Sequence, residues 1–285
     1  MSRGIIYMLA ATVVFSLAYV FVKKASMELG FWEAAFFRAL IGFLILSFIL
    51  IRRGENIAGK RENRKFLFLR GTAGSVAMIL YFAALSMTSM ANASSLHYTH
   101  PLFTTLLAVW LLKERISGLK AIFAFFAMTG VFIILRPDRG IISLGSFLAL
   151  LSGFFASLAY LTIRYIGGKE SSPVIINWLC IMSMVITGVP MLFFWRTPSG
   201  VMWFYLILVG VLTTLAQELM TLAYRSENAS TVAAFSFTGI IWATIAGKVV
   251  FRELPGMLEL GGILIIFFSM AMLVVTRNKE LSQRV

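Results

Sequence analysis

Negative charge is scarce in this chain. Among 285 residues there are 12 Asp and Glu against 25 Lys and Arg, a net charge of +13, and charged residues of all kinds make up 13%. A typical soluble domain carries about 25%, so an ordinary water-facing surface is excluded. Cysteine is limited to Cys180, which rules out an intrachain disulfide and a thiol-rich metal centre; within an apolar run it reads as a small packed hydrophobe. The only histidines are His97 and His100, and no acidic or thiol partners stand at ligand spacing beside them, so no metal site is expected. A Walker A loop and other nucleotide-hydrolysing motifs are missing, which leaves no ATP-driven chemistry, and no cofactor is expected. Alternating apolar and polar residues of the kind a lipid-facing strand needs are missing too, which excludes a membrane β-barrel.

What the chain has in abundance is apolar length. Hydrophobic residues make up 60%, and the mean hydropathy is +0.90. Runs of roughly 18–23 apolar residues recur from end to end, each sufficient to cross ~30 Å of hydrocarbon as a helix. The segmentation predicts ten spans, at about 4–22, 31–51, 66–87, 91–112, 118–135, 143–163, 173–194, 201–223, 229–251 and 257–276. The connecting loops are short, so successive helices run antiparallel and no soluble domain fits between them. The first run follows Arg3 but has no small-residue cleavage site, and it matches a later segment, so it reads as a first span rather than a removed signal.

The positive charge lies in loops beside the spans, where lipid head groups and insertion topology account for it better than nucleic acid does. With the N-terminus inside, 17 Lys and Arg fall on the inner side, Arg70 among them, and six, Lys23 among them, on the outer side. Arg38 and Lys248 lie within spans. This asymmetry predicts a cytoplasmic (inner) membrane protein with both termini in the cytoplasm.

The two halves of the chain repeat one another. Ser16-Leu17-Ala18-Tyr19, followed by Val22-Lys23, returns 141 residues later as Ser157-Leu158-Ala159-Tyr160, followed by Ile163-Arg164. At an offset of 139, Ala84 meets Ala223, Thr99 meets Thr238 and Glu114 meets Glu253. Residues 1–139 and 140–285 therefore read as two five-helix units. An odd number of spans turns the second copy upside down relative to the first. The fold class is all-α integral membrane: ten transmembrane helices as two inverted five-helix repeats. Inverted repeats are a device of secondary transporters, with the substrate near the midplane between them.

Several segments resemble one family. Tyr81-Phe82-Ala83-Ala84-Leu85, Ala91-Asn92-Ala93, Pro101-Leu102-Phe103 and Leu111-Leu112-Lys113-Glu114-Arg115 are similar to the drug/metabolite transporter superfamily, EamA type. Gly130 to Pro137, Phe251-Arg252-Glu253-Leu254-Pro255 and Gly261-Gly262 fit as well, and Arg38 matches an arginine common in that family's second helix. The second copy departs where Gly239-Ile240 replaces His100-Pro101. The resemblance covers essentially the whole chain. It implies ten helices in two inverted halves, cytoplasmic termini, and export or uptake of small metabolites, often amino acids or their derivatives. Within the superfamily, the runs Leu102 to Leu107 and Ile241-Trp242-Ala243 look most similar to carriers of S-adenosylmethionine and related adducts.

Ionisable residues inside spans are expensive and usually face a cavity or a partner. His97 and His100, three apart, share one helix face, with Thr104 beyond. They form either a cavity wall that binds substrate and exchanges protons, or two histidines bonded to neighbouring carbonyls. Gln217 and Glu218 sit mid-helix, and Glu218 belongs to a polar stripe with Thr214, Thr221 and Arg225. Glu218 can carry a proton or hold a cationic substrate group; the alternative is a structural pair with Arg38 or Lys248. Arg38 suits a substrate carboxylate, or a salt bridge with nearby Glu33. Thr12, Ser16, Tyr19 and Lys23 line one face of the first helix, and Ser157, Tyr160 and Arg164 echo them; such faces line a path or pack helices together. Tyr81, Phe235 and Trp242 are candidates to cage a ligand.

The expected substrate-binding set is therefore His97, His100, Gln217, Glu218, Tyr19, Tyr160, Tyr81, Trp242 and Arg38. Pro101 and Gly239, near the midpoints of equivalent helices, are the expected gating positions. The expected partners are a small-molecule substrate and the bilayer, with protons as a candidate coupling ion and no nucleic acid. An intramembrane enzyme acting on a lipid or isoprenoid precursor is the competing reading. It would need His97, His100 and Glu218 to converge.

Overall fold

The computed structural model describes residues 2–100, 102–104, 107, 118–135, 143–226, 232, 235–253 and 255–282. Its helices are α1 (Arg3–Glu28), α2 (Phe31–Arg52), α3 (Arg64–Met87), α4 (Met90–His97) and α5 (Gly118–Leu135). They continue with α6 (Leu144–Ile166), α7 (Ser172–Phe194), α8 (Gly200–Ser226), α9 (Thr238–Phe251) and α10 (Met257–Ser282). No strand occurs among the described residues. Six of these helices, α1, α2, α3, α6, α7 and α8, are long and apolar enough to cross a membrane, and shorter apolar stretches lie in α5, α9 and α10. The chain is an all-helical, multi-span membrane protein.

Local chemistry sets the helix ends. The Ser89 hydroxyl accepts from the Asn92 amide at 3.3 Å and starts α4, and Pro173 occupies the first turn of α7, where a missing N–H costs nothing. Between α1 and α2 the chain reverses in two residues, which Gly30 permits by taking φ +118°, a region closed to most side chains.

Packing is inverted relative to a water-soluble protein. Large apolar side chains face outward: Leu192 is 80% exposed, Phe193 79% and Phe125 70%. The interior mixes large apolar side chains such as Phe82, Leu85 and Phe237 with many Ala, Ser and Thr, which let helices approach closely. At the α5–α10 contact, Gly130 and Gly262 lie so close that a Cβ on Gly262 would stand 2.9 Å from the Gly130 carbonyl oxygen.

The helix pairings come in matched sets. α1 packs on α8 as α6 packs on α3; α1 meets α9 as α6 meets α4; α2 meets α8 as α7 meets α3. α2 pairs with α7, and α5 with α10.

Four expectations from the sequence need correction. The helix expected from 91 to 112 is interrupted: α4 ends at His97, Tyr98 and Thr99 form a turn, and helix resumes at His100. The expected 229–251 helix has a turn at Phe237, just before α9. Lys23 is no outer-loop charge, because α1 runs on to Glu28 and leaves Lys23 5% exposed. Arg70 is no inner-loop charge either: it lies two turns inside α3 and is 1% exposed. Pro101 and Glu114 lie outside the described residues.

Candidate functional site

A cavity opens where α1, α2, α3, α4, α6, α7 and α8 converge. Counted out to its mouth it encloses about 480 Å³, but the centre of a water molecule can move through only about 40 Å³ of it. That is room for a few waters and marks the cavity as narrow in this conformation.

One wall is aromatic. Tyr19 of α1 meets Tyr81 of α3 edge-on, with ring centroids 4.8 Å apart, and Tyr81 stacks on His97 at 4.4 Å. The Tyr81 and Ser94 hydroxyls are 2.7 Å apart, which fixes the tyrosine ring across the break that follows α4. His97 Nδ1 lies 2.8 Å from Ser152 Oγ. Ser152 spends its single proton on the Ala149 carbonyl at 2.6 Å, so in the neutral ring Nδ1 is the donor and Nε2 an acceptor. His100 stands one layer back, its ring 4.8 Å from that of Tyr160, and Tyr160 stacks on Tyr224 at 5.4 Å.

Two cations share the cavity with these rings. Arg38 of α2 and Arg70 of α3 both line the cavity and are 2% and 1% exposed. Arg38 Nε donates to Thr213 Oγ1 at 3.2 Å, and Arg70 Nη2 donates to Gln217 Oε1 at 3.2 Å. Both partners are neutral. Arg38 Nη1 and Arg70 Nε have no hydrogen-bond partner among the described residues. A guanidinium at the centre of a membrane helix costs about 2.5–3.5 kcal/mol on insertion scales, and here two are buried with no counter-charge among the described residues. Gly74 makes the room for this: a Cβ there would stand 2.1 Å from Arg70 Nη1.

The described carboxylates nearest this region are engaged elsewhere. Glu33 accepts from the Arg196 backbone amide, not from Arg38. Glu170 accepts from Asn63, and Glu253 pairs with Lys23. Glu218 does not line the cavity; its electrostatic partners are Arg53 and Arg225, neither of the cations expected for it, and its Oε2 is buried without a partner.

Of the nine expected binding residues, Tyr19, Arg38, Tyr81, His97, Tyr160 and Gln217 line one cavity. His100 backs it, and Glu218 lies on a neighbouring face of α8. Trp242 is 41% exposed, Ile241 and Ile245 beside it are exposed too, and it does not line the cavity. Gly239 serves close approach: a Cβ there would stand 2.1 Å from the Tyr98 hydroxyl oxygen, so the turn after α4 presses directly on the start of α9. Sequence reasoning missed Arg70 and Thr213. Arg70 was hidden by the Arg64-Lys65 cluster just before it, although Gly71 and Gly74 beside it signalled close packing. Among the described residues no three of His, Cys, Asp or Glu stand together as a metal site.

Comparison with known proteins agrees with this architecture. The profile of the EamA-like transporter family matches twice, over residues 2–136 and 143–275. Solute carrier family 35 member G1 of Mus musculus is 32% identical over 93% of this chain and 76% of its own length. The pseudopaline exporter of Pseudomonas aeruginosa is 28% identical over 98% of each chain. A solved crystal structure shares the fold, with a TM-score of 0.68 over 98% of this chain and 97% of its own at 14% identity.

Proposed function

Since the chain belongs to the EamA-like transporter family, we propose that it is a secondary carrier moving a small polar metabolite across the cytoplasmic membrane by alternating access. Amino acids, their derivatives and S-adenosylmethionine-like adducts are the candidate substrates. Its halves, 1–139 and 140–285, are inverted copies of one five-helix unit, and both termini lie in the cytoplasm. The observation that carries the reading is the cavity between them. Residues of both halves, Tyr19, Arg70 and Tyr81 from one and Tyr160, Thr213 and Gln217 from the other, line a single space, as a site at the repeat interface requires.

The matched helix pairings support the inversion, since α1–α8 and α6–α3 are the same contact made once from each half. The two interruptions support a bending point. Tyr98 and Phe237 are 139 residues apart, which is the repeat offset, and they lie just before the gating positions Pro101 and Gly239. Rocking of one half against the other about these points would open the narrow cavity alternately to each side.

Counterflow tests the carrier. Proteoliposomes preloaded with an unlabelled metabolite panel should accumulate the matching labelled solute without ATP. Uptake equal to that of protein-free liposomes for every solute in the panel would refute it.

A further inference from the structure

Two buried arginines line this cavity, each with a nitrogen that has no partner among the described residues, together with tyrosine rings and His97. We propose that the substrate is an organic dianion, a dicarboxylate-class acid whose two negative charges are taken by Arg38 and Arg70. The inference rests on the carrier reading and names the class of cargo.

Charge balance is the first argument. Arg38 and Arg70 use Nε and Nη2 on the neutral Thr213 and Gln217, so both full charges remain to be matched. A guanidinium has five donors in a fixed plane and suits a carboxylate in two-toothed geometry. Arg38 Nη1 and Arg70 Nε are buried donors with no partner among the described residues, one on each guanidinium, which such contacts would engage as the narrow cavity opens. No described carboxylate lines the cavity, and two like charges that share a narrow space repel each other. One negative charge would leave one cation unmatched; a neutral amino acid or a sulfonium adduct, candidates by family resemblance, would leave more, so charge narrows the candidates to dianionic acids.

Shape is the second argument. The cavity also carries a wall of Tyr19, Tyr81 and Tyr160, which offer ring faces to a carbon skeleton and hydroxyls to its substituents. An inorganic anion would use the arginines and leave that wall idle, so the cargo is an organic acid.

A series of equal length and changing charge tests the proposal: succinate, succinamate, succinamide and putrescine, with sodium sulfate as the inorganic control. Melting of the purified full-length carrier is measured with each, beside counterflow of each labelled organic member in proteoliposomes. Succinate should raise the melting temperature most, succinamate less, and the diamide and diamine not at all; counterflow should follow the same order. Arg38→Met and Arg70→Met should each abolish the succinate shift and leave the ligand-free protein at least as stable as wild type, because each removes an unmatched buried charge. Arg38→Lys should keep part of the shift. A drop in ligand-free melting on Arg38→Met and Arg70→Met would mean that the arginines are structural and would overturn the proposal.

Succinamide or putrescine matching succinate, or sulfate alone reproducing its shift, would also overturn it. So would the absence of any succinate shift. Counterflow of putrescine but not of succinate would leave the carrier standing and sink the dianion. A succinate shift lost in both arginine variants, with no counterflow of any solute, would keep the site and sink the carrier.

Discussion

Breaking the Lys23–Glu253 pair should be strongly lopsided. Lys23 Nζ lies 2.5 Å from Glu253 Oε1 and donates to the Thr88 carbonyl at 2.9 Å, while Glu253 Oε2 accepts from the Met90 amide at 3.0 Å. One contact therefore ties the upper part of α1 to the start of α4 and the end of α9. The Lys23 side chain is 6% exposed and that of Glu253 is 28%. Removing one partner of a buried pair costs about 3–5 kcal/mol, because the survivor is stranded. Pairs that water reaches are worth about 0–1 kcal/mol.

Glu253→Gln strands the buried ammonium and should cost about 3 kcal/mol. Lys23→Met strands a carboxylate that water already reaches and that keeps its Met90 bond, so about 1 kcal/mol is expected. At about 2–4 °C per kcal/mol for a chain of this order, the first variant should melt roughly 6–12 °C lower and the second roughly 2–4 °C lower. The Lys23→Met/Glu253→Gln double variant should recover most of the difference. The assay is thermal unfolding in detergent, read as a double-mutant cycle. Equal shifts for the two single variants, or strict additivity in the double, would refute the reasoning.

Other consequences can be measured in the same way. Gly239→Ala places a methyl 2.1 Å from the Tyr98 hydroxyl oxygen and should destabilise by about 1–3 kcal/mol; adding Tyr98→Leu should restore melting. Gly262→Ala forces α5 from α10 and should lower the melting temperature, whereas neighbouring Gly261→Ala, with nothing within 4 Å, should leave it unchanged. Cysteine at His97 should react with a small water-soluble reagent, while cysteine at Trp242 should react only with a lipid-soluble one; the reverse pattern would misplace the cavity. A reporter at residue 285 should read cytoplasm and one near Asp138 the outside, and a cytoplasmic signal at Asp138 would sink the inverted topology.

Much of the fold was legible because hydrocarbon imposes a simple rule on sequence. The 118–135 span coincides with α5, and 31–51, 66–87 and 173–194 fall within two residues of α2, α3 and α7. Where the rule concerns length and hydropathy, one-dimensional reading suffices. It marked the bends only through Pro101 and Gly239 and missed that the helix actually breaks just before each, at Tyr98 and Phe237, because an exact break depends on the helices packed against it. The polar residues Tyr19, Tyr81, His97, Tyr160, Arg38 and Gln217 could be nominated from the cost of placing such groups in lipid.

The sequence alone determined that this chain spans a membrane as helices, that its two halves repeat, and which family it belongs to. Each follows from composition, period and motif, all properties of neighbours along the chain. Only the tertiary structure decided that Arg70 is a cavity cation rather than a loop charge, that Lys23 finds Glu253 from 230 residues away, and that Glu218 and Trp242 stand outside the cavity. A helix has faces all round, and spacing shows which residues share a face. Which face meets the cavity is settled by how far each helix is rotated in the bundle, and that is fixed by close approaches such as Gly239 on Tyr98 and Gly74 on Arg70.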